Sequence, residues 1–317
     1  MRGCTSQQKR HPLFNSVNMK SLLIGILILF SSTILLSAQS RLDTLLNRIN
    51  DKGKSDYVMI VAHRGDWRNA PENTIQAFQN CIDKGIDGIE IDVQKTKDGE
   101  IIICHDDDVS RTTNGKGKIS EMTLAEIKQL NCCSGIHVVT RHKIPTYREV
   151  LRAMKGKVLI QVDKWQPIKD DIFRIAEEEG CLNQLIIRGT FSAEVAKKTL
   201  GRFYGEVIYI PVLVSKGISE DNAKLDDYLK NLDTPIISLS FKKEDAEILN
   251  RAKEIKSKGY RIWYNSMWAT FNGGHDDEMA EYDMENSYGW LLKKGADIIF
   301  CDRPFLLDAY LKSIGRR

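Results

Sequence analysis

Val58-Met59-Ile60-Val61-Ala62-His63-Arg64-Gly65 is a short β-branched apolar run that stops abruptly in polar groups. So short a run, closed by a turn former, suits a buried strand better than a helix. Outward from it the same pattern recurs at Gly88 to Val93, Val158 to Asp163, Leu185 to Ile187, Val207 to Ile210, Ile236 to Leu239, Arg261 to Tyr264 and Asp297 to Cys301. Amphipathic stretches lie between these runs: Thr74 to Lys84, Ile168 to Glu179, Ser192 to Leu200, Asp221 to Leu232, Lys243 to Lys258 and Glu285 to Lys294. Several of them stop at Gly85, Gly180, Gly259 or Gly295, as helix C-termini often do. A doubly wound open sheet shares this alternation. The count of eight and the polar residues at strand C-termini favour a (β/α)8 TIM barrel. No strand is followed by the Gly-rich fingerprint of a dinucleotide fold.

One departure interrupts the alternation. After Gly88 to Val93 comes Lys97-Asp98-Gly99, then the apolar run Ile101-Ile102-Ile103-Cys104 ending in His105. Asp-Gly between apolar runs is a hairpin signal, so a small insertion is expected after the second strand. No linker rich in Pro, Gly or Ser follows Tyr57, and a single domain over residues 39–317 is the economical reading.

Residues 1–38 are set apart from that domain. The uncharged run from Ser21, with Lys20 before it and Leu36-Ser37-Ala38 at its end, reads as a secretory signal peptide. Met19 is then the natural start, and an uncleaved membrane anchor is the competing reading. The expected location is outside the inner membrane, in the periplasm, with no stable membrane insertion after cleavage. Residues 1–38 contain Arg2, Lys9, Arg10 and Lys20 and no acid, so the rest has 42 basic against 43 acidic residues. The overall charge of +3 therefore reflects targeting, and no nucleic-acid partner follows from it. Cys104 and Cys301 sit in apolar runs and Cys132 and Cys133 are adjacent, which suits small buried hydrophobes better than a disulfide framework. Nothing in the chain bears on oligomeric state.

Three strand ends concentrate chemistry: His63-Arg64-Gly65, Glu90-Ile91-Asp92 and Gln161-Val162-Asp163-Lys164; His105-Asp106 ends the inserted hairpin. In a parallel barrel these ends meet at one mouth. The i, i+2 spacing turns Glu90 and Asp92 to one face, where two carboxylates repel each other unless a cation joins them. Hard oxygens at Glu90, Asp92 and Asp163 suit Mg2+ or Ca2+ better than zinc. Arg64 and Lys164 would offset charge on a phosphate, and His63 and His105 would share proton transfer. The blander reading of Arg64 is a simple pair with Glu72.

Ala62-His63-Arg64-Gly65, Pro71-Glu72-Asn73-Thr74, Gly88 to Val93, Thr96-Lys97-Asp98-Gly99, His105-Asp106, Arg111 to Gly115 and Leu124-Ala125-Glu126 stand in the order of one known signature. With the late Gly295 to Ile299 and Asp302-Arg303-Pro304, the chain resembles the glycerophosphodiester phosphodiesterases over most of residues 57–312. The resemblance implies a TIM barrel with an insertion after the second strand, and hydrolysis of glycerophosphodiesters, small-molecule substrates, to an alcohol and glycerol phosphate. By position it implies His63 and His105 as the acid/base pair, Arg64 as a phosphate contact, and Glu90 and Asp92 as metal ligands.

Two departures stand out. The family's Glu-x-Lys on the third strand is Asp163-Lys164 here, with Asp163 in the ligand's place and Lys164 one residue early. Its Trp-x-x-Asn near the seventh strand is Trp263-Tyr264-Asn265, also one short. Trp263, Asn265 and Trp268 are read as substrate contacts. Ser266 to Asp283 is read as a substrate-selecting lid, with a solvated surface loop as the alternative, and His275 to Glu278 as a lesser candidate for a second cation. Two rivals remain at this point. One is a related phosphodiesterase acting on phospholipid or on glycerophosphoinositol or glycerophospho-sugars; the other is a non-catalytic periplasmic phosphometabolite-binding protein.

Overall fold

The computed structural model describes residues 41–317, so the leader expected over 1–38 lies outside the described residues. Nine strands form one sheet: β1 Met59–Ala62, β2 Gly88–Lys95, β3 Ile101–Ile103, β4 Leu159–Asp163, β5 Leu185–Gly189, β6 Ile208–Val214, β7 Ile236–Ser240, β8 Arg261–Asn265 and β9 Ala296–Cys301. All but β3 pair in parallel around the ring, and the β1–β2 and β1–β9 pairings close it into an eight-stranded barrel. β3 is the expected hairpin partner, antiparallel to β2 with Val93 opposite Ile103.

The strand pleat sorts the side chains. Ile60, Ile89, Ile91, Ile160, Val162 and Ile187 face outward into the layer between strands and helices. Met59, Val61, Leu159, Ile186, Trp263 and Ile298 face inward and fill the barrel's lower part. A helix over 41–49 plugs the N-terminal end with Leu42, Leu45 and Ile49. Period two then carries Glu90, Asp92, Gln161, Asp163, Arg188 and Asn265 inward higher up, where the apolar filling stops. The inserted segment has a small core of its own, including Ile102, Val109, Ile119, Ile127 and Ile144. Capping boxes at Thr123/Glu126 and Thr146/Glu149 start its helix Leu124–Gln129 and the helix Tyr147–Met154 that follows.

Two helices differ from expectation. The stretch from Lys243 becomes helical only at Glu247, because Phe241 bridges Asn272 and the chain beyond it runs against the 266–283 loop. Gly273 lets that approach happen: a Cβ there would meet the Glu244 backbone nitrogen at 2.6 Å. The stretch from Glu285 opens as a π-turn, Glu285–Gly289, before helix Trp290–Lys293. All six cysteines among the described residues are free and buried. No helix among those residues is long and apolar enough to cross a membrane.

Candidate active site

The acidic cluster follows from strand register. On adjacent parallel strands Asp92 stands opposite Asp163 and Glu90 opposite Gln161, all facing inward. Oxygens of Glu90, Asp92 and Asp163 lie within 4.8 Å of one another, the one such group of three His, Cys, Asp or Glu among the described residues. Burial, then the Asp92 and Asp163 charges, push Glu90 well above the usual carboxylate range. The Gln161 Oε1 acceptor on the neighbouring strand has no hydrogen-bond partner, and Arg64 Nε stands 3.5 Å from Asp92. This donor set fits a hard divalent cation.

The Pro-Glu-Asn-Thr segment braces the cluster. Asn73 Nδ2 donates to Asp92 at 2.8 Å, and Thr74 caps the next helix by accepting from the Ala77 amide. Glu72 takes Arg64 and both amino groups of Arg111, while Arg111 also forks onto Asp106. Arg64 thus pairs with Glu72, as the blander reading had it, while its backbone N–H donates to Glu90 at 2.9 Å. Arg64 at φ 54°, Asn73 at φ 58° and Lys164 at φ 58° are non-glycine residues in the left-handed region, concentrated around this mouth. Gly65 (φ 74°) has no alternative: a Cβ would meet Phe78 Cδ1 at 2.8 Å.

Both histidines are oriented by carboxylates. His63 Nδ1 lies 2.8 Å from Asp302, and His105 Nδ1 2.6 Å from Asp106. A carboxylate at Nδ1 holds the ring proton there and leaves each Nε2 free for exchange. Edge-on contacts with Trp268 and Phe300 further fix the His63 ring. Burial raises the Asp302 carboxyl, but the bonds and charge from His63, with Trp67 and Arg68, outweigh it and leave it below its ordinary range. Both imidazoles, Arg64 and the three acids line one cavity of about 430 Å3, with Asn265 and Trp268 on its wall. A neighbouring cavity of about 400 Å3 shares His63, Arg64 and Trp268 and extends past Trp67 and Arg111.

Two of the expected substrate contacts are corrected. Trp263 is fully buried in the barrel and gives its indole N–H to Asn265 at 3.1 Å, since the inward pleat carries it beneath the cavity floor. Lys164 does not line the cavity. β4 ends at Asp163, the left-handed turn at Lys164 swings its side chain sideways, and its ammonium donates to the His105 carbonyl. The 266–283 loop is a packed wall rather than a lid: Asn272, His275 and Asp277 are buried, and Asn272 Nδ2 holds the Asn265 carbonyl at 3.0 Å. His275 stacks on Trp290 and bonds the Asn286 carbonyl, while Glu278 faces Arg303, so His275 to Glu278 do not converge as a cation site.

Several groups were not singled out from the sequence. Arg188, next to last in β5, is half-buried in the cavity wall, its guanidinium over Trp263 and Phe300 and one amino group on Ser238 at 3.0 Å. Burial pulls its pKa down to about 10, against the pull of Asp163 and Glu90. The signal was available, because Leu185-Ile186-Ile187-Arg188 obeys the same rule of a polar residue at a strand's C-terminal end. Asp277 accepts from the Asp302 amide at 2.5 Å, Ser266 at 2.8 Å and Tyr288 at 2.8 Å, so it holds the residue that holds His63. Burial pushes it up to about 7.

Comparisons with known proteins agree with this geometry. A family model described as the glycerophosphoryl diester phosphodiesterase family matches residues 63–199, and one described only as a domain of unknown function matches residues 209–311. The glycerophosphodiester phosphodiesterase of Caldanaerobacter subterraneus is 47% identical over 102 residues, 31% of this chain and 41% of that protein. One from Bacillus altitudinis is 38% identical over 118 residues, 36% of this chain and 46% of that protein. The chain thus matches less than half the length of these relatives. Two solved structures share the fold, each at 21% identity. One is a glycerophosphoryl diester phosphodiesterase from Parabacteroides distasonis (TM-score 0.70, 86% of this chain and 92% of that one). The other is an Oleispira antarctica phosphodiesterase in complex with the product sn-glycerol-3-phosphate (TM-score 0.59, 81% and 97%). Over residues 63–199, on a barrel of the same fold, this chain is similar to the glycerophosphoryl diester phosphodiesterase family.

Proposed function

We propose that the barrel mouth hydrolyses glycerophosphodiesters to an alcohol and glycerol phosphate, with Glu90, Asp92 and Asp163 holding Mg2+ or Ca2+. One observation carries this reading: three converging carboxylates share a cavity with two imidazoles, each ring oriented by its own carboxylate. When bound, the cation would polarise a phosphate oxygen. Arg64 and Arg188 add fixed positive charge where the phosphorane develops negative charge. One Nε2 takes the proton of the attacking water, or of the substrate's own glycerol 2-hydroxyl. The other gives a proton to the departing alkoxide as its P–O bond breaks, because an alkoxide is a poor leaving group. Asn265 and Trp268 line the space left for the substrate. The experiment is a hydrolysis screen of glycerophosphocholine, -ethanolamine, -glycerol and -inositol with Mg2+ or Ca2+ and with chelator. Binding without turnover under every condition refutes the reading. Export by a leader over residues 1–38 to the periplasm belongs to the same proposal and rests on the sequence alone.

Arg188→Met separates charge from packing, since Met fills much of the same volume. Turnover is expected to fall about 100-fold, while divalent-cation affinity holds or rises because a cation beside Glu90 and Asp163 has gone. A variant that loses cation affinity in proportion to activity contradicts the role.

Asp277→Asn puts an amide donor against the Asp302 N–H and loosens the support of His63. Turnover should drop roughly tenfold, as losses in outer-shell partners do. The carboxyl's folded pKa, about 7, lies above its ordinary 3.8. The stability it contributes is therefore fully present below that ordinary value and is lost as pH rises through about 7. Asn cannot titrate, so the stability gap between wild type and variant should narrow from pH 5 to pH 8, read from urea midpoints. A gap that stays constant or widens removes the argument.

A further inference from the structure

The inserted segment carries an exposed apolar tip at the rim of the mouth. Ile136, Val138 and Val139 are 82%, 57% and 51% exposed. The backbone that presents them is closed on itself: Ser134 N–H donates to the Val138 carbonyl at 2.9 Å, His137 N–H to Ser134 at 2.8 Å, and Thr140 N–H to Cys132 at 2.9 Å. His137 at φ 59° makes the turn. An ordered turn that keeps three β-branched side chains in water gains nothing for the fold, and such patches mark contact surfaces. Charge along the tip's own segment has one sign, while Glu72 lies on the cavity side, in the pocket that Ser134, Gly135 and His137 line. No acidic residue stands between Glu126 and Glu149, whereas Arg141 and Lys143 flank the tip on the exposed surface. Gly135, next to Ile136, lines the same cavity as His63 and the half-exposed Trp268 across the mouth.

We propose that this tip docks on an anionic lipid surface, dipping Ile136, Val138 and Val139 below the headgroups while Arg141 and Lys143 meet their charge. Apolar insertion flanked by basic residues is the combination that holds proteins at such interfaces. Three side chains fall far short of the roughly 800 Å2 per partner that a stable protein interface needs, which disfavours a second copy or a protein partner. Docking turns the mouth toward the headgroup layer, so that phosphodiesters released from or lying in the membrane reach it first. That consequence rests on the reading of the mouth as a hydrolytic site; the docking itself does not.

The test is co-sedimentation of the protein with vesicles of phosphatidylcholine alone and of phosphatidylcholine mixed with phosphatidylglycerol. Binding to the anionic vesicles is expected, weakened by salt. Combining Ile136→Ser, Val138→Ser and Val139→Ser should lower it at least about tenfold, since all three side chains would leave an apolar layer. Arg141→Gln with Lys143→Gln should abolish the preference for anionic vesicles. Hydrolysis of soluble glycerophosphocholine should be unchanged in the triple variant. Partition is read without turnover, so an inert protein that binds vesicles overturns the hydrolytic reading and leaves the surface standing. Equal partition of wild type and triple variant overturns the surface, as does a wild-type dimer that the three substitutions make monomeric.

Discussion

Glu90→Gln should abolish cation-dependent turnover, a loss of about 1,000-fold if the bound cation contributes the several kcal/mol usual for such sites. Glu90 is buried, 1% exposed, and burial followed by the charges of Asp92 and Asp163 pushes it well above the usual carboxylate range. Without a cation, removing its charge relieves repulsion, so the variant should melt no lower than wild type in chelator. With a cation the order reverses. A ligand at 100 times its Kd adds about 2.7 kcal/mol to folding stability, which for a chain of this size moves the melting point by about 4–5 °C. Wild type should show that rise with Mg2+ or Ca2+ and the variant little of it. Thermal melts with and without the cation read this apart from activity. If Glu90→Gln keeps both the cation-dependent rise and its turnover, the three acids are a structural network and not a metal site.

The second large effect concerns the two rings. His63→Ala and His105→Ala should each lower turnover of an alkyl phosphodiester by about 1,000-fold, the middle of the range for positioned proton transfer. Circular dichroism should stay unchanged, because each ring lines the cavity rather than the barrel core. A p-nitrophenyl phosphodiester then divides the roles. Its leaving group needs no proton, so the variant that lacks the acid should recover most of its activity on it. The variant that lacks the base should stay inactive. Full activity of either variant on glycerophosphocholine would remove that ring from the reaction.

Much of this site was legible before any fold existed, and the reason is periodicity. Residues two apart on a strand share a face, so Glu90 and Asp92 had to point together, and the count of eight strands brought their ends to one mouth. The same rule applied evenly would have reached Arg188 on β5. Glu72 and Asn73 were visible as part of a motif, but their partners were not. Asn73 lies 19 residues from Asp92 in sequence, and Glu72 lies 39 from Arg111.

Lys164 and Trp263 show the other limit. Motif spacing suggested that both reach the substrate, yet the direction of a side chain at a strand end depends on the residue's backbone dihedrals and on where the pleat stops. Lys164 turns left-handed immediately after Asp163 and meets the His105 carbonyl, 59 residues away in sequence. Trp263 keeps the inward pleat and falls one layer too low, onto Phe300 and Arg188.

Local pattern favoured the barrel over an open sheet, located its insertion and marked the acids and imidazoles as candidates, because alternation, turn chemistry and strand length act within a few residues. Which carboxylate orients which ring, that Arg64 leans on Glu72, that Asp277 supports Asp302, and that the 266–283 loop is a wall were decided only by tertiary structure. Some of these contacts are local, as His105 with Asp106 is, but others join groups far apart in sequence, as His63 and Asp302 are at 239 residues, and only closing the barrel sets their distances.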